Sequence, residues 1–186
     1  MVSISSISVH AQVEDYLQYT PMVAYLTLNV CNVPAKHELQ ERIMTFATSV
    51  ISTYGITGGL KRIVSERRPD GSDCKSFPSG HAARSFMAAN LLRHEFGHIS
   101  PWITVAGYSC ALATSALRVS GDHHYVHDVL GGAAIGLLST EMSYYLLRLW
   151  QKRKNKEKEG DANEVQLVVM PSANTGELTM NGVIVF

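Results

Sequence analysis

The sequence predicts an all-α protein, a bundle of about five helices followed by a short C-terminal tail that is irregular or β-like. The first observation behind this prediction is that long runs without a charged residue alternate with short charged connectors, and that proline or glycine lies near several run ends. The second is that 46% of the 186 residues are hydrophobic, which suits one domain with a sizeable core.

Each predicted helix is an apolar run that is bounded by helix-breaking or charged residues. They are expected over 22–33, 43–60, 81–95, 99–117 and 129–150. Pro34 and Gly97 lie just beyond the first and third runs, and the charged stretch 35–42 connects the first two. The tail contains VQLVVM and MNGVIVF, which are typical of short strands.

The chain is expected to divide into four parts. These are a polar N-terminal segment (1–20), a helical domain (21–150), a charged linker (151–163) and the tail (164–186). The N-terminus lacks the basic and apolar regions of a signal peptide.

A membrane location is favoured by the length of the uncharged runs. Three of them, 43–60, 99–117 and 129–150, approach the ~20 residues of a membrane span. Charged residues are only 17% of the chain, below the usual quarter. The run 43–60 is rich in Ser, Thr and Gly, as closely packed membrane helices are. The alternative is a soluble bundle, whose buried helices would look similar.

Composition also excludes some classes of function. The formal net charge is zero, so nothing in the overall charge indicates a nucleic-acid partner. The three cysteines, Cys31, Cys74 and Cys110, show no CxxC spacing, which argues against a disulfide framework and against a cysteine zinc site.

Three charged or turn-rich connectors are expected at one end of the bundle. They are 61–68, 78–81 and 118–128, and they share an end if the helices alternate up and down. Their arginine, lysine and histidine side chains would form an electropositive pocket. Guanidinium forks and a lysine ammonium suit the several oxygens of a phosphate group.

Two local patterns indicate chemistry in this pocket. The turn Ser79-Gly80 offers backbone N–H groups at the start of a helix, where an anion is stabilised. His124 and Asp128 are four apart, so on a helix they would share a face, and the carboxylate would fix the tautomer of the ring. His123 and His127 have no carboxylate four residues on, so His124 is favoured over them.

Three motifs appear in order here. The segment from Lys61 to Pro69 matches KxxxxxxRP, residues 78–81 read PSGH, and the segment from Arg118 to Asp128 matches RxxxxxHxxxD. Together they resemble the type-2 phosphatidic acid phosphatase superfamily, which also contains soluble acid phosphatases and vanadium haloperoxidases. Two features depart from the family pattern. Leu117 replaces the serine that usually precedes the arginine, and at most five helices are found where membrane members have six.

The resemblance implies a role for each matching residue. His124 would attack phosphorus, Asp128 would orient it, and His81 would protonate the leaving group. The phosphoryl oxygens would be held by Lys61, Arg68, Ser79, Gly80 and Arg118. No metal or other cofactor is expected.

The resemblance and the uncharged helices together favour a membrane lipid phosphate phosphatase. Its partners would be a phosphorylated lipid and the membrane, with no nucleic acid. The resemblance implies a bacterial inner membrane protein, and the basic run after the last helix favours a pocket that faces the non-cytoplasmic side. The alternatives are a soluble acid phosphatase for small esters, a vanadate-dependent haloperoxidase and a non-catalytic anion-binding membrane protein.

Overall fold

The structure is a computed structural model that describes residues 16–162, 166–174 and 177–185, with side chains as far as residue 157. Its principal helices and its strands have the following bounds. The helices are α1 (Thr20–Val30), α2 (Leu39–Ile63), α3 (Gly80–Phe96), α4 (Pro101–Ser120) and α5 (Val126–Ala162), and the strands are β1 (Gln166–Asn174) and β2 (Glu177–Val185). The predicted bundle of five helices and the β-like tail are both confirmed.

The helix ends differ from the predicted ones because capping side chains define them. The predicted connector 35–42 already contains the first turn of α2, where the Glu41 carboxylate accepts from the Glu38 backbone N–H at 3.4 Å. At the start of α4, the Ser100 hydroxyl accepts from the Trp102 N–H at 3.3 Å.

The charged stretch predicted as a linker, 151–163, is helical as far as Ala162. Its lysine, arginine, glutamate and glutamine residues are strong helix formers, so α5 continues beyond the apolar run. The predicted helix 129–150 is therefore too short at both ends.

The chain divides into two compact units, one up to Tyr145 and one from Leu146. In the second unit β1 and β2 pair antiparallel, with Gln166 opposite Val185 and Asn174 opposite Glu177. All the predicted site residues belong to the first unit.

Helix α3 is the centre of the first unit. It packs against α1, α2 and α4. Ala82, Phe86 and Ala89 of α3 form a buried cluster with Ala111 of α4 and Val129 of α5. The small side chains let these helices approach closely.

Two glycines of α5 allow its backbone to lie directly against α3. A Cβ atom on Gly132 would lie 2.3 Å from the carbonyl oxygen of Ser79, and one on Gly136 would lie 2.3 Å from that of Ala83. Neither carbonyl can move without shifting the start of α3. This contact fixes the start of α5 against the turn that precedes α3.

We expect Gly132→Ala to destabilise the protein, because its methyl group would meet a backbone atom. Overpacking of this kind costs roughly 1–3 kcal/mol, and each kcal/mol lowers the unfolding midpoint by about 2–4 °C in a chain of this size. The matched control is Gly55→Ala in α2, where nothing lies within 4 Å of the added methyl group. It should be neutral or stabilising by up to about 1 kcal/mol. Thermal unfolding followed by circular dichroism compares them, and equal midpoints would contradict the close contact.

In α2 the buried face is polar and part of the exposed face is apolar, which is the reverse of a helix in a water-soluble protein. The buried side chains are hydroxyl-bearing and four residues apart: Thr45, Ser49, Thr53 and Thr57. By contrast, Ile43 and Ile51 are exposed at 58% and 71%. On α5 the buried Ser143 accepts a hydrogen bond from the Ser49 hydroxyl at 3.0 Å.

The sequence predicts that three helices approach the length of a membrane span. In the part of the chain that the structure describes, no helix combines the length and the apolarity needed to cross a membrane. Membrane association stays a prediction.

Candidate active site

His124 and Asp128 meet at the junction of α4 and α5. His124 is 2% exposed, and its Nδ1 lies 3.4 Å from Oδ2 of the fully buried Asp128. The two residues do not share one helix, since His124 precedes α5 and Asp128 lies in its first turn. The backbone N–H of His124 instead donates to the carbonyl of Arg118, at 3.2 Å. The imidazole is thus held by the end of one helix and the start of the next.

Ser76 is a third member of this group that the sequence analysis did not identify. It is buried, its hydroxyl donates to Asp128 Oδ2, and its Oγ lies 3.5 Å from His124 Nδ1. The same Oδ2 accepts from the Tyr125 backbone N–H at 2.9 Å. These donors fix the carboxylate that faces His124. Ser76 lies two residues before the PSGH motif, and no spacing in the sequence indicates its role.

The PSGH turn is bonded directly to the start of α5. The backbone N–H of Ser79 donates to the carbonyl of Asp128 at 2.9 Å. The Ser79 hydroxyl accepts from the Ala82 N–H at 3.5 Å and so caps α3. Gly80 and His81 are the first two residues of α3. The structure therefore brings the second and third motifs together, with partly exposed His81 at the helix N-terminus.

The first motif spans the end of α2 and the loop that follows. Lys61 lies in the last turn of α2, and its Nζ donates to the carbonyl of Lys75 at 2.7 Å. Arg68 Nε donates to Asp73 Oδ1 at 2.9 Å. Burial, followed by the charge of Arg68, lowers the pKa of Lys61. These contacts fold the loop back towards the PSGH turn.

The three predicted cations act together on His124. Burial, followed by the positive charges of Arg68, Arg118 and Lys61, lowers its pKa from 6.5 to about 4, although the charge of Asp128 opposes the shift. Arg118 is itself 7% exposed, in the last turn of α4. His124 is therefore a neutral imidazole near pH 7, with one ring nitrogen able to act as a nucleophile.

Arg84 is a further basic residue beside this site that the sequence analysis did not identify. It lies one turn into α3, and a Cβ atom on Gly80 would be 3.4 Å from its Nη1. Its Nε donates to Gln18 Oε1 at 3.0 Å, and its charge contributes to the lowered pKa of Lys61.

The two histidines set aside by the sequence analysis have acidic partners distant in sequence. His123 Nδ1 lies 3.1 Å from Asp70 Oδ2, and His127 Nε2 lies 2.7 Å from Glu66 Oε1. Hydrogen bonds from Ser72, together with His123, hold the pKa of Asp70 well below its usual range. Both pairs connect the loop that follows α2 with residues of the third motif.

One group of potential metal ligands lies at the edge of the site. Atoms of Glu66, His127 and Asp128 all lie within 4.8 Å of one another. No metal is expected from the sequence, and this group is not predicted, because Glu66 is far from the other two residues in sequence.

Comparison with known proteins identifies the family. The model of the PAP2 superfamily matches residues 42–152, which is more than half of the chain and includes all three motifs. The chain belongs to the PAP2 superfamily. The resemblance inferred from the motifs is thereby confirmed.

Among curated proteins, this PAP2 chain is similar to the lipid A 1-phosphatase of Porphyromonas gingivalis. The two are 32% identical over 140 residues, which is 75% of this chain and 32% of the relative. The chain thus spans about a third of the length of that relative.

Two solved structures are similar to this PAP2 chain. The crystal structure of Aquifex aeolicus LpxE matches with a TM-score of 0.61 and 19% identity, over 77% of this chain and 87% of the other. This likeness shows the fold. A transmembrane PAP2 type phosphatidylglycerolphosphate phosphatase from Bacillus subtilis matches with a TM-score of 0.40 and 19% identity, over 82% and 89%.

Proposed function

We propose that this chain is a phosphatase that hydrolyses the phosphate ester of a membrane lipid through a phosphohistidine on His124, without a metal cofactor. The observation that supports this most is a buried, neutral imidazole that is oriented by a fixed carboxylate and influenced by three cations.

The first half-reaction transfers the phosphoryl group to the enzyme. His124 Nδ1 faces Asp128, so Nε2 is the attacking atom. The Nε2 lone pair forms the N–P bond while the P–O bond to the lipid breaks. His81 donates a proton to the departing oxygen. Asp128 stabilises the positive charge that develops on the imidazole ring.

The second half-reaction releases inorganic phosphate. A water oxygen attacks phosphorus, the N–P bond breaks, and the electron pair returns to Nε2. His81, now unprotonated, accepts the water proton and is restored for the next cycle.

The remaining motif residues hold the phosphoryl oxygens in both steps. The side chains of Lys61, Arg68 and Arg118 supply positive charge, and Ser79 and the Gly80 N–H supply donors at the N-terminus of α3. Because these groups are fixed before substrate arrives, they stabilise the extra charge of the transition state without reorganisation.

A lipid is the favoured substrate for two reasons. The curated relative is named for its action on lipid A. In addition, large apolar side chains are exposed on several helices, among them Ile51 of α2, Leu112 of α4 and Leu138 of α5, at 71%, 60% and 67%. Extensive apolar exposure marks contact with a membrane or a partner. The apolar exposure favours a lipid phosphatase over the soluble acid phosphatase. That the pocket faces the non-cytoplasmic side of the membrane, as inferred from the basic run, stays a prediction.

We expect turnover of lipid phosphates in detergent with EDTA present, and inhibition by vanadate. Turnover should survive EDTA because three cationic side chains supply the positive charge that a metal ion would otherwise provide. Vanadate should inhibit because it resembles pentacoordinate phosphorus. Phosphate release is measured on lipid A, phosphatidic acid, phosphatidylglycerophosphate and an isoprenyl diphosphate, with nitrophenyl phosphate as the small ester. Activity lost in EDTA and restored by Mg²⁺ would contradict the mechanism. A preference for the small ester would favour the soluble acid phosphatase.

A further inference from the structure

The group formed by Glu66, His127 and Asp128 contains a polar atom that is not satisfied. Asp128 Oδ1 is fully buried and has no hydrogen-bond partner among the described residues, although Oδ2 of the same carboxylate is well bonded. It lies 3.3 Å from His127 Nε2, which in turn lies 2.7 Å from Glu66 Oε1. A buried carboxylate oxygen without a donor is costly unless something binds it.

The chemistry of the three ligand atoms favours one kind of ion. One imidazole nitrogen and two carboxylate oxygens suit Zn²⁺, whereas Mg²⁺ and Ca²⁺ prefer oxygen alone. Three protein ligands leave a fourth position for water. At Zn–N and Zn–O distances of 2.0–2.2 Å, tetrahedral ligand atoms lie about 3.3–3.6 Å apart. The separation of His127 and Asp128, 3.3 Å, already falls in this range, that of Glu66 and His127 must open from 2.7 Å, and that of Glu66 and Asp128 is within 4.8 Å.

We propose that Glu66, His127 and Asp128 form a Zn²⁺ site whose occupancy inhibits the phosphatase. This rests on the proposed function, because it assigns Asp128 two competing tasks. With Oδ1 bound to Zn²⁺, the carboxylate loses the negative charge that stabilises the phosphorylated imidazole. The ion also adds two positive charges beside a ring that must itself become positive. Both effects oppose transfer of the phosphoryl group to His124.

The site is accessible from solvent through His127. That side chain is 57% exposed, while the Glu66 side chain is 30% exposed and the Asp128 side chain is buried. The ion can therefore reach the buried oxygen without passing through the phosphate pocket. Inhibition should be reversible by a chelator and should not require that substrate leave first.

The test measures Zn²⁺ binding and turnover separately on the full chain. Equilibrium dialysis with Zn²⁺ alone gives stoichiometry and affinity, and phosphate release at increasing Zn²⁺ gives inhibition. The variants are His127→Ala and Glu66→Gln, and the control is His98→Ala, which removes an exposed histidine outside the group. The wild type should bind one Zn²⁺ and lose at least about tenfold in turnover, with recovery in EDTA.

Both site variants should keep the activity that the wild type shows in EDTA. Their Zn²⁺ affinity should fall by at least about tenfold, since even changes beside a metal ligand cost 10–100-fold. Wild-type affinity in both variants would overturn the site, and binding without inhibition would overturn its inhibitory role. No turnover in EDTA would reject the proposed function and the inhibitory role together. Dialysis would still decide whether the site exists.

Discussion

His124→Ala should abolish phosphoenzyme formation with every substrate and lower turnover by roughly 10⁴–10⁶-fold, the range for removal of a catalytic nucleophile. The expectation follows from the position of the ring. Nδ1 faces a fixed carboxylate, the pKa is lowered to about 4, and three cations act on the same imidazole. Asp128 Oδ2 is already occupied by hydrogen bonds from Ser76 and the Tyr125 backbone N–H.

The measurement uses a substrate with radioactive phosphorus and an alkaline quench, because phosphohistidine is labile in acid. The wild type should show protein-bound label that is lost on acidification. The matched control is His123→Ala, which changes the adjacent histidine, whose partner is Asp70. It should retain label and turnover. An acid-labile phosphoenzyme in His124→Ala would refute the assignment of the nucleophile.

Besides the family motif, His124 could be chosen from the sequence because its carboxylate partner is local. Asp128 follows it by four residues, and the structure keeps them in contact even though His124 precedes the helix. The partners of His123 and His127, Asp70 and Glu66, come from a loop more than fifty residues earlier. Such pairs depend on the path of the chain, which short-range spacing does not define.

The centres of the helices were predictable, while their ends and packing were not. Runs of apolar residues indicate where a helix forms, but Glu38 and Ser100 define where α2 and α4 begin. The close approach of α5 to α3 depends on Gly132 and Gly136, and only the facing backbone shows why glycine is needed there. Ser76 was missed for a similar reason, since a buried serine has no distinctive pattern.

His81→Ala should lower activity by an amount that depends on the leaving group. An alkyl phosphate departs as a strongly basic alkoxide, so loss of the acid should cost the ~10²–10⁴-fold typical of general acid catalysis. Nitrophenolate is a weak base and should depart with much less help. The structural basis is position: His81 is the second residue of α3, beside a turn whose Ser79 is bonded to Asp128.

The quantity to compare is kcat/KM for a lipid phosphate and for nitrophenyl phosphate, because it covers only the steps up to phosphoenzyme formation. Any role of His81 in the later attack of water on the phosphoenzyme therefore does not enter kcat/KM for either substrate. The control variant is Asp128→Asn, which weakens the nucleophile and should lower both values by similar factors. If His81→Ala also lowers both equally, His81 is not the acid that protonates the leaving group. A loss confined to the alkyl phosphate, with phosphoenzyme still formed from nitrophenyl phosphate, would establish that His124 and His81 act on opposite sides of the bond that breaks.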